Sequence, residues 1–97
     1  MYLTLLTFSE NKDAVPEYMQ AHGEWIAKGF ADGVFLSAGT IQPAEGGAIV
    51  AHGEERAAYD ARIASDPFVR EGVVVAETHE IDVKRTIPAL DFLKAPA

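Results

Sequence analysis

The apolar and polar positions of this chain repeat first at the period of a strand and then at that of a helix. Tyr2 to Phe8 is dense in β-branched and aromatic residues and reads as a strand. From Ala14 to Asp32 the spacing becomes helical. At roughly 100° per residue, Val15, Met19, Ile26 and Gly29 gather on one side, flanked by Tyr18 and Phe30, while Glu17, Gln20, Glu24 and Lys28 fall on the other. Ser9 or Asn11 is placed to cap this helix, Pro16 suits its first turn and Gly33 ends it. Val34 to Ile41 is a second strand, Pro43 to Gly47 a connection, and Ala48 to His52 a third strand. The short gap favours an antiparallel hairpin. Glu54 to Ser65 is helical by propensity. Its buried face is left open between Tyr59 with Ile63 and Ala57 with Ala61 and Ala64. Pro67 closes it, and Gly72 to Val83 is a long fourth strand. From Lys84 to Ala97, Ile87, Leu90, Phe92 and Leu93 lie between prolines, as in a short helical arm.

The order β-α-β-β-α-β is the ferredoxin-like arrangement of the α+β class, an antiparallel sheet with both helices on one face. The strands are not polar on their second face. The first offers Tyr2, Leu6 and Phe8 on one side and Leu3 and Leu5 on the other, the second Val34 and Leu36 against Phe35, and the fourth Val73 and Val75 against Val74 and Ala76. A sheet with one wet face alternates more cleanly. Two helices cannot cover both faces, so a second copy of the chain is expected there, sheet against sheet, as a twofold homodimer. The competing expectation is that the arm folds back over that face of its own subunit.

Composition narrows the function classes. The 97 residues make one domain, 1–97, with the arm at 84–97. The absence of cysteine removes thiolate nucleophiles, disulfides and Cys-based metal sites. The net charge of −7, scattered along the chain, argues against nucleic-acid and anionic-membrane partners. The apolar start lacks a basic segment and a cleavage site, and no stretch approaches the roughly 18 apolar residues of a membrane span. A cytoplasmic protein is expected.

Against this background His22 stands out, about 20° from the midline of the apolar side of the first helix. A polar ring aimed inward needs a partner or a pocket, because burying a polar group unpaired costs about 2 kcal/mol or more. The best partner elsewhere is Asp66, in the turn Asp66-Pro67-Phe68. Two further readings stay open: a core histidine bonded to a backbone carbonyl, and an aspartate that only caps or turns. As a pair, the carboxylate would orient the imidazole for proton transfer near neutral pH. His52, His79 and Glu77 lack a metal-type spacing, so neither a metal nor a cofactor is expected. No nucleophile elbow surrounds Ser37, which could still bond a ligand. Gly46-Gly47 is a loop pair without the Lys-Ser/Thr of a phosphate cradle. Trp25 and Phe68 are core or pocket wall.

Taken in order, the apolar first strand, His22 in the first helix, Gly33 at its end, Gly39 after Val34-Phe35-Leu36-Ser37-Ala38, and Asp66-Pro67-Phe68-Val69-Arg70-Glu71-Gly72 resemble the YciI-like (YCII-related) family over residues 1 to about 83. The resemblance implies a dimeric α+β barrel of ferredoxin-like subunits and a pocket holding a histidine and an aspartate, here His22 and Asp66. It places Ser37 at a further pocket position. Most members of that family have no assigned reaction. A few act on small cyclic or halogenated aromatic breakdown products, and the wider group includes lactone isomerases and small monooxygenases. Two departures stand out: Gly23 after the histidine, a helix residue worse than Ala by roughly 1 kcal/mol, and the longer tail from Lys84. The expected function is therefore a cofactor-free enzyme on a small organic metabolite (a lyase, isomerase or hydrolase), with His22 and Asp66 catalytic and Ser37, Trp25 and Phe68 as ligand contacts. The alternative is a non-catalytic small-ligand-binding module, and a third possibility is a purely structural dimerisation domain.

Overall fold

In the computed structural model, which describes residues 1–94, the first strand, β1 (Tyr2–Phe8), lies inside the sheet. Its alternation sorts the layers. Tyr2, Thr4 and Leu6 are buried beneath the helices, and Leu3 and Leu5 are half-buried on the other side. α1 (Val15–Ala31) follows, with Pro16 in its first turn. β2 (Phe35–Ile41) and β3 (Gly46–Ala51) form the expected antiparallel hairpin. α2 (Arg56–Ala64) and a short α3 (Pro67–Arg70) lead into β4 (Val74–Glu80). The sheet runs β2-β3-β1-β4, and every neighbouring pair is antiparallel. This is the ferredoxin-like α+β arrangement.

Several local expectations are revised. Neither Ser9 nor Asn11 caps α1. A 3₁₀ turn at Lys12–Ala14 intervenes, and Ala14 takes the cap position without a side-chain bond. The Ser9 hydroxyl instead faces the carbonyls of Gly72 and Val73 and accepts from the Asn11 N–H at 3.0 Å. At the other end Gly33 does stop the helix. It sits at φ 75°, and Gly33 N–H and Val34 N–H reach back to the Phe30 and Gly29 carbonyls at 3.0 Å each, a Schellman closure that glycine permits without strain. Of the two faces open for α2, the large one wins: Tyr59 and Ile63 are buried, because they remove most apolar area from water. β4 (Val74–Glu80) is shorter than the strand expected over Gly72 to Val83.

Packing sets α1 at a fixed height over the sheet. Gly29 is buried, and a Cβ there would overlap the Phe35 ring, so α1 approaches β2 only because that position is bare. The Trp25 indole N–H donates to the Arg62 carbonyl at 3.0 Å, and the Arg62 guanidinium bridges Glu54 at 2.8 Å and Asp32 at 3.0 Å. These bonds tie α1 to α2. The core proper is Tyr2, Leu6, Phe35, Ile49, Tyr59 and Val73, with their neighbours.

On the opposite face of the sheet, Leu3 pairs with Val50 and His79, and Leu5 with Ala48 and Glu77. Its centre is therefore apolar, and Val75 is 64% exposed. The arm turns through a 3₁₀ helix at Pro88–Leu93 and meets the body at His52, whose ring takes Phe92 edge-on at 5.0 Å. Ile87 and Phe92 remain well exposed. The arm residues 95–97 lie outside the described part of the chain. Among the described residues no helix is long and apolar enough to cross a membrane.

Candidate active site

The site begins with a helix boundary. Asp66 ends the stretch after α2 in extended backbone and caps α3, its Oδ1 accepting from the Phe68 N–H at 3.0 Å. Pro67 is not a stop. It occupies the first position of a new helical turn, where its missing N–H costs nothing. The turn brings the fully buried Asp66 carboxylate under the middle of α1. There His22 Nδ1 lies 2.7 Å from the same Oδ1. An ionised carboxylate can only accept, so against one Nδ1 donates, and in the neutral form of such a ring Nε2 keeps its lone pair. The other carboxylate oxygen, Oδ2, is sealed from solvent without a hydrogen-bond partner among the described residues. The buried carboxyl group therefore has two partners, the His22 ring and one backbone amide.

Aromatic residues pack near the imidazole. Phe68 stacks on it at 4.0 Å between centroids and 11° between planes, and Trp25 lies at 5.9 Å and 26°. The side chain is 13% exposed. His22 borders a hollow of about 460 Å³ between α1 and the sheet, in the range of small-molecule sites. Leu6, Ile26, Phe30, Ile49 and Phe68 give it apolar walls, with Met19 beside them. His22 and Thr40 are its two lining residues with polar side chains, and no Lys, Arg, Asp or Glu is among them.

The structure thus brings His22, Asp66 and Phe68 together, with Asp66 behind the ring and Phe68 against it. Trp25 stands a layer back: its indole holds α2 and it does not line the hollow. Ser37 is placed elsewhere. A register shift between Phe35 and Ser37 sets Ser37 opposite Val50, on the sheet face turned away from the helices, and it does not line the hollow. Residues after the shift change sides, so Ala38 and Thr40 face His22's side in its stead. Sequence reasoning missed Thr40, and it treated Gly46-Gly47 only as a loop. Both glycines border the hollow. A Cβ on Gly46 would collide with the Leu6 carbonyl. The signal was available as two facing runs of small residues, Ser37 to Thr40 and Gly46 to Ala48, which leave space where larger side chains would fill it.

The remaining histidines are apart from this site. His79 lies 3.5 Å from Glu77 on the exposed face, and His52 packs on Phe92. No group of three or more His, Asp or Glu side chains among the described residues is placed to hold a metal ion.

Comparison with known proteins agrees with the fold. The family model for the YCII-related domain matches residues 1–81. Among solved structures, the chain is similar to 5-chloro-2-hydroxyhydroquinone dehydrochlorinase (TftG) from Burkholderia phenoliruptrix AC1100, solved in complex with 2,5-dihydroxybenzoquinone. The TM-score is 0.67 at 12% identity, over 84% of this chain and 93% of that one. No curated protein sequence matches.

Proposed function

This chain belongs to the YCII-related domain family, and from that premise we propose that it is a cofactor-independent enzyme acting on a small organic molecule, with His22 as the general acid–base and Asp66 as its partner. One observation carries the reading: His22 Nδ1 is held at 2.7 Å by a fully buried carboxylate while the same ring borders a hollow of small-molecule size. Nε2 takes a proton from the substrate. The imidazolium that forms is stabilised by Asp66 and returns the proton to the product or to water. Elimination, isomerisation and hydrolysis all use such a shuttle. The dehydrochlorinase neighbour supports elimination as the first class to try, in which a substrate C–H or O–H bond passes its proton to Nε2, its electrons form the new double bond and chloride departs.

Thermal-shift screening of chlorinated phenols, hydroxyquinols, lactones and small carboxylates, followed by incubation of each hit and product analysis, tests the reading. A converted compound is expected, with turnover lowered about 10²–10⁴-fold in His22→Asn and the circular dichroism spectrum unchanged. Turnover surviving at a comparable rate removes His22 from the chemistry. Stabilisation of the protein by ligands that are never converted favours the binding-module alternative.

The reading extends to assembly. The apolar centre of the open sheet face, with Leu3, Leu5 and Val50, is the surface on which two copies pair. Sedimentation at micromolar concentration should show a dimer, and Leu5→Lys should yield monomer.

A further inference from the structure

We propose that the C-terminal arm clasps a second copy of the chain, with Ile87 and Leu90 of each protomer packing on the Val75 end of the partner's open sheet face. The orientation of the clasp rests on the sheet-to-sheet pairing proposed above; the role of His22 does not enter. Three observations support it. First, the arm keeps a fixed shape without burying its apolar side chains. The Leu90 N–H donates to the Ile87 carbonyl at 2.9 Å, the Thr86 hydroxyl donates to Asp91, and Lys94 Nζ lies 3.0 Å from the same carboxylate. Yet Ile87 is 64% exposed, Leu90 41% and Phe92, though edge-on to His52, 53%. Three large apolar side chains held in water on one short segment mark a contact surface.

Second, the arm stands at the wrong end of its own sheet to cover the exposed part of the open face. It leaves β4 where the Ile81 N–H bonds the Met1 carbonyl, at the Tyr2 end of β1. Val75, opposite Thr7, lies at the Phe8 end, roughly 20 Å away at about 3.3 Å per strand residue. A twofold axis between the sheets and across the strands reverses strand direction. It lays the arm end of each copy over the Val75 end of the other, and the contact forms twice. Third, the charges match. Lys84, Arg85 and Lys94 against Asp91 give residues 84–97 a charge of +2, so that the other 83 residues of a chain with −7 carry −9. Glu77 stands on the same open face as Val75, opposite Leu5. A basic arm is thus drawn to the acidic body of a second copy.

The chain has no cysteine, so introduced thiols report alone. A tagged Val75→Cys chain and an untagged Leu90→Cys chain are mixed at micromolar concentration and joined with a flexible bis-maleimide. The mixed 75–90 product should clearly exceed its random share over the 75–75 and 90–90 products. Sedimentation of Ile87→Ser should show the dimer dissociation constant raised at least about tenfold, the scale of one large apolar side chain returned to water. Its urea midpoint, read where the protein is monomeric, should stay at the wild-type value, because the side chain is exposed within one chain. An unchanged dissociation constant in Ile87→Ser overturns the clasp, as does a mixed product at its random share. The two readings fail separately. A dimer indifferent to Ile87→Ser keeps the sheet pairing and removes the clasp. An unsubstituted chain that sediments as a monomer removes both.

Discussion

Two halves of the same sheet face lie under the helices and treat their polar groups in opposite ways. Under α2, the fully buried Thr4 hydroxyl meets Tyr59 OH at 2.7 Å and Thr78 Oγ1 at 2.8 Å, and Tyr2 stacks on Tyr59 at 4.4 Å. Burial raises the Tyr59 phenol above its ordinary value, the Thr4 bond pulling slightly the other way, so it stays a neutral hydroxyl. Every polar tip there closes on another. Under α1, the polar group is His22, closed on one side by Asp66 and open on the other to a hollow. A closed network of hydroxyls contributes position and rigidity. An imidazole with one nitrogen anchored and one left free is arranged to exchange protons. The difference lies in whether the last lone pair has a protein partner, and both regions are equally part of the folded interior.

The largest effect that sharpens this contrast belongs to the closed half. Tyr59→Ala should cost about 3–5 kcal/mol of stability, since it removes a fully buried ring and leaves a cavity beneath α2. Urea unfolding should show the midpoint falling sharply, with the remaining folded protein keeping its turnover per molecule. A Tyr59→Ala protein of normal stability would mean that α2 does not depend on that ring. Next comes Asp66→Asn. Oδ1 already receives the Phe68 N–H, so the amide is steered to keep its oxygen there and to go on orienting Nδ1. The change then removes charge while keeping geometry. Turnover should fall by up to about 10²–10⁴-fold, the worth of a positioned acid–base group. KM should change little, and stability should drop by about 1–3 kcal/mol, because the cap survives but the amide NH2 is left at the sealed Oδ2 position without a partner. A rate equal to wild type would show that Asp66 only caps α3.

The His22–Asp66 pair was legible before any coordinates, although the residues lie 44 positions apart. An inward histidine demands a partner, and the β-α-β-β-α-β order puts both helical segments on one face. The element that delivers Asp66 was not legible. Proline after a helix reads as a stop, and the same proline serves equally well as a first helical residue. The sequence alone cannot separate the two without knowing that Asp66 accepts from Phe68. Ser37 shows a different limit. Strict alternation from Phe35 would place Ser37 on the helix side and Thr40 away from it. One extra residue in the strand reverses both, since a slip of one moves each following side chain to the opposite face. No propensity marks that slip in Leu36-Ser37. The buried face of α2 was open on periodicity and is settled by size, the tyrosine and isoleucine having the most area to hide. The hollow owes room to small residues on the helix side of the sheet, Ala38 and Gly47, and patterns of hydrophobic residues do not register such gaps.

The smallest effect makes the cleanest division between the halves. Thr78→Val removes one hydroxyl from the closed network and keeps the β-branched shape that suits β4. Thr4 retains Tyr59 OH at 2.7 Å, so no buried group is orphaned. The cost should be about 1 kcal/mol, one net hydrogen bond, read as a small drop in the urea midpoint at constant m-value. Thr4→Val is the harsher control, because the Tyr59 hydroxyl then loses its partner in a fully buried position and about 1–3 kcal/mol is expected. Neither should alter the pH profile or kcat of a substrate found for the hollow, since neither residue lines it. If Thr78→Val lowered kcat as far as Asp66→Asn does, protons or strain would be passing between the two networks. The face under the helices would then be one functional unit, not a rigid half beside a reactive one.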